Sequence, residues 1–203
     1  MIKKKLLLVL MTGLVGSGKS TVAKELARAL HARLVRSDAI RAALRRNGKQ
    51  YDTVRTLALR EVENALGSGK SVVLDADVVD SDAVQNARAL AKKHGADVSI
   101  VRTICDIDVA IARAITGRYG TPASDLFVAA DSLVKKPSRL KGASVKVREM
   151  MRRLPHHYRW DASEGGRWVL KKRAVTATID TTDAAASKNA LRRFLQRAYS
   201  VKL

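Results

Sequence analysis

A chain of 203 residues is close to one ordinary domain with room for a lid or insertion, and is too short for two large cores. Hydrophobic residues at 46% and charged residues at 29% exclude disorder as the main state, and an aromatic share of only 4% leaves Ala, Leu and Val to fill the interior. Lys and Arg number 39 against 19 Asp and Glu, a net charge of +20 that speaks of polyanionic partners and says nothing of fold.

In chain order, Lys3 to Lys5 ahead of LLLVLM imitates a secretory leader, but the apolar run passes at once into glycines without a small-residue cleavage pattern. Leu6 to Met11 therefore reads as a buried strand. Lys19 to Leu30 is a predicted helix with Val22, Leu26, Ala29 and Leu30 on one face, and Leu34 to Val35 is a brief strand. Asp38 precedes a short helix, Ala39 to Arg45. Asp52 to Leu66 is a helix turning Val54, Leu57, Ala58, Val62 and Ala65 inward. Ser71 to Leu74 is a strand, and Asp82 to His94 a helix stopped at Gly95, with Asp80 and Asp82 as its starting acids. Val98 to Ile104 is the next strand. It leads into Cys105, the one cysteine, which excludes a disulfide scaffold and a cysteine zinc site and suits the reducing cytoplasm.

Val109 to Thr116 is a helix, Val175 to Ile179 a last strand, and Ala184 to Ala198 a helix with Leu191, Phe194, Leu195 and Ala198 on the face that packs on the sheet. Strands that look buried on both faces alternate with helices, which predicts a three-layer α/β/α unit with a five-stranded parallel sheet, spanning 1–203 as one domain. No apolar run approaches the ~18 residues of a membrane span.

One stretch breaks the alternation. Between Arg118 and Ala174 no strand is predicted, and from Leu133 to Arg173 there are 13 Lys or Arg against three acids, so a fifth of the chain carries half its net charge. The expectation is a basic helical lid or insertion over 119–173. It is read either as a solvated face or as a polyanion track over 135–173.

The strongest chemical signal is Gly13-Leu-Val-Gly16-Ser17-Gly18-Lys19-Ser20-Thr21, which fits GxxxxGKS and lies between a strand and a helix. Glycines let the backbone curl its N–H groups toward phosphates, Lys19 meets the β and γ oxygens, Ser20 offers a hydroxyl to Mg²⁺, and the helix N-terminus adds its dipole. The pentapeptide GSGKS recurs at Gly67 to Ser71. There Asn64 stands where the leading glycine belongs, and a helix precedes and a strand follows, so the repeat reads as a helix C-cap and turn.

Arg36-Ser37-Asp38-Ala-Ile-Arg41 follows the second strand, where residues leaving a parallel sheet face the ligand crevice. Asp38 can accept a proton from an attacking hydroxyl, or cap its helix, and the two roles are compatible. Arg41, three residues on, is placed to hold an anionic group of the acceptor. At the tip of the third strand Asp75 is the first choice for water-mediated Mg²⁺ binding or acceptor orientation, and Asp77 the reserve. Arg118 first and Arg113 second are candidates to neutralise charge on the transferring phosphoryl group, unless they serve only the helix dipole. Tyr158 and Trp160 either stack on bases or anchor the insertion. His156 and His157 point to different faces and make no metal site.

With GLVGSGKST, SDAIR, VVLDAD and CDIDVAIARAITGR in this order, the chain from about Lys5 to Val134 resembles the small P-loop kinases of the polynucleotide-kinase and zeta-toxin-like group, often described as AAA-family ATPase domains. The resemblance implies a P-loop NTPase fold, with Asp38 as catalytic base, Arg41 as acceptor-phosphate contact and Arg118 as lid arginine.

The functional expectation is ATP- and Mg²⁺-dependent transfer of the γ-phosphate to a hydroxyl, with a polynucleotide 5′-hydroxyl or nucleotide as acceptor. Its rivals are a kinase for a sugar, antibiotic or nucleotide sugar, and an RNA-binding ATPase switch that phosphorylates nothing.

Overall fold

The computed structural model describes residues 5–116 and 143–199. Its elements are β1 (Leu6–Thr12), α1 (Lys19–Leu30), β2 (Arg33–Arg36), α2 (Ser37–Arg46), α3 (Val54–Gly67), β3 (Val72–Asp75), α4 (Ser81–Lys93), β4 (Ala96–Ile104), α5 (Ile107–Thr116), α6 (Ala143–His157), β5 (Tyr158–Asp161), β6 (Arg167–Leu170), β7 (Ala177–Asp180) and α7 (Ala184–Tyr199).

Five strands form the expected parallel sheet in the order β2-β3-β1-β4-β7. Central β1 pairs Leu10 with Leu74 of β3 on one side and with Ile100 of β4 on the other. Because side chains alternate along a strand, Leu8 and Leu10 face one helical layer and Val9 and Met11 the opposite one, all at 0% exposure. The first face packs Val35, Leu74 and Ile100 against Leu44, Ala58, Val62, Leu66, Ala87 and Ala91 of α2, α3 and α4. On the second, Val22 and Leu26 of α1 and Leu191, Phe194 and Leu195 of α7 close over Val73, Val101 and Ile179. Each large side chain so buried contributes about 1.5 to 3 kcal/mol, and Phe194 is the one aromatic among these named side chains.

The chain runs from β1 out to β2, returns through β3 beside β1, then crosses to β4 on β1's other side. The carboxyl end of β1 is thus a topological switch point, where an open parallel sheet leaves a crevice.

A third, smaller cluster seats α6. Its Met150 and Leu154, one turn apart, pack with Leu14, Cys105, Ala110 and Tyr158. Beyond α6 the structure departs from the expected strandless insertion: β5 and β6 form a two-stranded antiparallel hairpin apart from the main sheet. Trp160 and Trp168 face each other across it, edge to face with centroids 5.4 Å apart. Gly166 has φ +84°, and a Cβ there would stand 2.3 Å from the Trp160 ring. Both strands are four residues long and lie within the basic stretch, where so short an alternation is masked by the flanking charges. Of the expected lid or insertion over 119–173, residues 119–142, with Lys135 and Lys136, lie outside the described residues, as does Arg118.

Candidate active site

The turn from β1 to α1 builds the floor of the site. Gly13 has φ +148°, and a Cβ there would sit 2.4 Å from the Thr103 carbonyl oxygen of β4; at Gly16, with φ +86°, it would sit 2.6 Å from that of Ala110 in α5. Only glycine lets the loop lie this close to its neighbours. The Ser17 hydroxyl turns down to Thr103 Oγ1 at 2.7 Å, and Thr181 Oγ1 donates to the Ser17 carbonyl at 3.0 Å. Gly18, in left-handed conformation, opens α1, whose first turn carries no acid to compete for an anion.

Above the loop lies a cavity of about 280 Å³ lined by Gly16, Gly18, Lys19, Ser20 and Thr21 from the loop, Ser37, Asp38 and Arg41 from α2, Asp75 and Asp77 from the end of β3, and Lys146 and Arg153 from α6. The expected phosphate-loop residues therefore converge with the expected base. Gly13 and Ser17 shape the loop from beneath. Lys19 Nζ donates to the carbonyls of Gly13 at 2.6 Å and Leu14 at 3.2 Å. Burial pushes its ammonium below the ordinary lysine value, against the pull of Asp77, Asp75 and Asp38. Lys146 is lowered in the same way, by burial first, against the pull of Asp38. Two ammonium groups held below their usual range share a site that gains by taking in anionic oxygens.

Asp38 does not cap its helix as one sequence reading expected. The chain turns straight from β2 into α2, the helix begins at Ser37, and Asp38 stands in its first turn without a capping bond. Its Oδ1 instead accepts from Arg41 Nη1 at 2.7 Å, which fixes the carboxylate toward the cavity. Asp80 is the side-chain cap of α4, accepting from the Ala83 N–H at 2.6 Å.

The two aspartates after β3 part company. Asp75 is buried at the strand tip with Arg36 Nε 3.7 Å away. Asp77, whose side chain is 4% exposed, accepts from the Gly13 N–H at 3.1 Å and from Thr12 Oγ1 at 3.3 Å. Its other oxygen lies 3.3 Å from Arg153 Nη1 and 3.1 Å from His157 Nε2. Burial works to raise its pKa, but the hydrogen bond to His157 and the charge of Lys19 hold the carboxyl well below the usual carboxylate range. Asp77 is thus a bracket between the phosphate loop and α6. Among the described residues no group of three or more His, Cys, Asp or Glu is arranged to hold a metal. Mg²⁺ in nucleotide sites needs no such cage: it takes one or two protein oxygens and completes its shell with phosphates and water, and Ser20 and Asp75 both line the cavity with oxygens that could hold one.

Of the two candidate arginines, Arg113 donates to the Gly16 carbonyl at 3.3 Å, to Thr181 Oγ1 at 3.0 Å and to the Thr181 carbonyl. It braces the outside of the loop and is not among the residues lining the cavity. Among the described residues of the basic stretch, the cations that do line it are Lys146 and Arg153, seven residues apart on α6. Neither was singled out from sequence, and nor was the role of His157. Tyr158 is buried in the third core cluster, while Trp160 stays 54% exposed beside Trp168. Part of the basic track is bound internally: Arg152 and Arg153 to Glu149, Lys171 to the Pro155 carbonyl, and Arg173 to the Val79 carbonyl.

A second cavity, also about 280 Å³, abuts the first between α2, α3 and the start of α4. Val54, Ala58, Leu59, Leu74 and Val78 give it an apolar wall, and Arg41, Arg55, Arg153, Asp52 and Asp80 line it with charge.

A family model described as an AAA domain matches residues 8–133, from β1 to beyond α5. No curated protein matches the sequence. Solved structures do. A candidate kinase from Chloroflexus aurantiacus superposes with a TM-score of 0.59 at 17% identity, covering 98% of this chain and 100% of that one. APS kinase from Mycobacterium tuberculosis, in complex with AMPPNP and APS, gives 0.54 at 17% identity over 95% and 98% of the two chains. Shikimate kinase from Acinetobacter baumannii, with shikimate, gives 0.51 at 20% identity over 99% and 97%. Identities this low speak for the shared fold alone.

Proposed function

The chain belongs to the AAA domain family, and from that premise we propose that it is an ATP- and Mg²⁺-dependent kinase that phosphorylates a hydroxyl on a small molecule. The observation that carries this reading is that Asp38 and the phosphate loop line one cavity, and that a second cavity with an apolar wall abuts it across Ser37, Arg41, Ala76, Asp77 and Arg153. Donor and acceptor can then lie end to end, which is most of what phosphoryl transfer asks of a protein.

In this scheme Lys19 and the N-terminus of α1 hold the β and γ phosphates, and Lys146 adds charge from the opposite wall. Ser20 and Asp75 would hold Mg²⁺, the first by its hydroxyl and the second through water, and the ion would supply neutralisation of phosphate charge. Asp38, held by Arg41, accepts the proton of the attacking hydroxyl. Kinship with polynucleotide kinases and zeta toxins rests on motifs alone. An acceptor pocket of this size, and arginines of the basic track bound to Glu149 and to backbone carbonyls, favour the small acceptor over a nucleic-acid end. The buried free thiol of Cys105 suits the cytoplasm, and no described helix is long and apolar enough to cross a membrane.

The test is a labelled γ-phosphate screen over pooled hydroxylated metabolites and 5′-hydroxyl DNA and RNA, with Lys19→Ala as the blank. Label on a small molecule is the expected result. Label on oligonucleotide ends, lost steeply as salt rises, would restore the polynucleotide reading. Release of inorganic phosphate alone, unchanged in Asp38→Asn, would replace the kinase with a switch.

A further inference from the structure

Five residues line both cavities, and two of them, Arg41 and Arg153, are cations. Arg41 is committed to Asp38 at 2.7 Å. Arg153 is held differently. Its Nε donates to Glu149 on its own helix, and its Nη1 faces Asp77 across the site at 3.3 Å. Glu149 and Asp77 are almost wholly buried, whereas the Arg153 side chain is 23% exposed. Its Nη2 has no protein partner among the described residues. Two buried carboxylates therefore hold a planar guanidinium at Nε and at Nη1 and leave Nη2 free at the boundary that a phosphoryl group must cross. A cation fixed in advance where charge develops needs no reorganisation during reaction, and a guanidinium fork suits equatorial phosphoryl oxygens better than an ammonium does.

The grip reaches back to the phosphate loop. His157 Nε2 lies 3.1 Å from Asp77 Oδ2, and Asp77 Oδ1 accepts from the Gly13 N–H at 3.1 Å. Met150 and Leu154 seat the same helix in its apolar cluster. The loop that holds the donor and the helix that carries Arg153 are thus tied through one carboxylate.

We propose that Arg153 is a catalytic residue whose guanidinium meets the phosphoryl group in transit, and that Glu149 and His157 are positioning residues, the first acting directly and the second through Asp77. This rests on the kinase reading. In the step concerned, the acceptor oxygen bonds to the γ-phosphorus and the bond from that phosphorus to the β–γ bridging oxygen breaks. ADP leaves with the electron pair, and the hydroxyl proton passes to Asp38. Arg153 contacts the equatorial oxygens and exchanges no proton.

The full chain is assayed with Mg·ATP and water as acceptor, which needs no knowledge of the natural substrate. Arg153→Ala should lower kcat by about 100-fold with the KM for ATP changed less than about threefold, as expected for a contact made in the transition state. Millimolar guanidinium, far below denaturing levels, should restore at least about tenfold of the loss, since it replaces the missing group. A role confined to neutralising Glu149 and Asp77 would not respond in this way. Arg153→Gln carries the same expectation should the alanine variant fold poorly. His157→Ala should lose about tenfold in kcat through misplacement, with His157→Gln keeping most of it by donating at similar reach.

Turnover within threefold of wild type in Arg153→Gln, or a loss in folded Arg153→Ala that guanidinium does not relieve, overturns the assignment and leaves the kinase reading standing. Where water is not turned over, the same comparison is made with the acceptor found by screening; absence of Lys19-dependent transfer there too overturns that reading, and this assignment with it.

Discussion

Replacing Asp77 with Asn keeps the side chain's shape but removes its charge from a site where four donors converge on it: the Gly13 N–H, Thr12 Oγ1, Arg153 Nη1 and His157 Nε2. One amide oxygen can still serve Gly13, but the new NH₂ faces the Arg153 guanidinium donor to donor. A hydrogen bond to a charged group contributes about 1.5 to 3 kcal/mol, and removing one partner of a buried ion pair costs about 3 to 5 kcal/mol. Asn is spared the carboxylate's desolvation, so the lower end, about 3 kcal/mol, is the expected loss. At this chain length that is about 6 to 12 °C in Tm. Urea titration and thermal unfolding at pH 7 measure it against Asp80→Asn, an exposed cap whose substitution should cost less than about 1 kcal/mol. The sign of the pH dependence follows from the depressed Asp77 carboxyl. Its contribution is complete above the ordinary value of 3.8 and drains away as pH falls below it. The stability gap between wild type and Asp77→Asn should therefore be constant from about pH 5 upward and shrink in acid. A variant within 1 kcal/mol of wild type at pH 7, or a gap that does not shrink, would refute the bracket.

The two copies of GSGKS provide a matched pair. Gly16→Ala must push a Cβ against the Ala110 carbonyl at a left-handed φ and should cost more than about 2 kcal/mol along with ATP affinity, whereas Gly67→Ala, ending a helix 3.5 Å from the His94 ring, should be within about 1 kcal/mol of neutral; unfolding titrations and a fluorescent ATP analogue read both. Met150→Ala empties the seat of α6 and should cost about 2 to 5 kcal/mol by urea titration, with ATP turnover falling further than ATP affinity as Lys146 and Arg153 lose their placement.

Much of the site's donor half was legible because its signals are local. A six-residue apolar run, a glycine loop and a periodic helix occupy consecutive positions, and Asp38 follows the next strand at the rim that parallel sheets always present. The second GSGKS shows how context decides: its Gly69 donates to the Leu66 carbonyl and closes α3, as the flanking elements implied. The α6 half was not legible, since Lys146, Arg153 and His157 approach Asp77 from far along the chain and in sequence are part of a charge run. Two cues were nevertheless present. Glu149, alone among basic residues, stands three and four places before Arg152 and Arg153, and Met150 and Leu154 mark one helical face. The hairpin also had a signal in Gly165-Gly166 between two short alternating runs, but four-residue strands outside the sheet are easily lost in a basic stretch. Arg113 illustrates a further limit. Its position at the end of α5 is evident in sequence, but whether it turns toward phosphate or toward the Gly16 carbonyl depends on where Thr181 comes to rest.

The account stands on Asp38 facing the end of a triphosphate held by Lys19. Asp38→Asn, measured side by side for ATP affinity and for transfer of labelled γ-phosphate to the acceptor found by screening, tests this most directly. Affinity within about threefold of wild type with transfer reduced by at least about 100-fold is the predicted result, at the low end of what a positioned base contributes. Transfer that survives the substitution at near wild-type rate would contradict it.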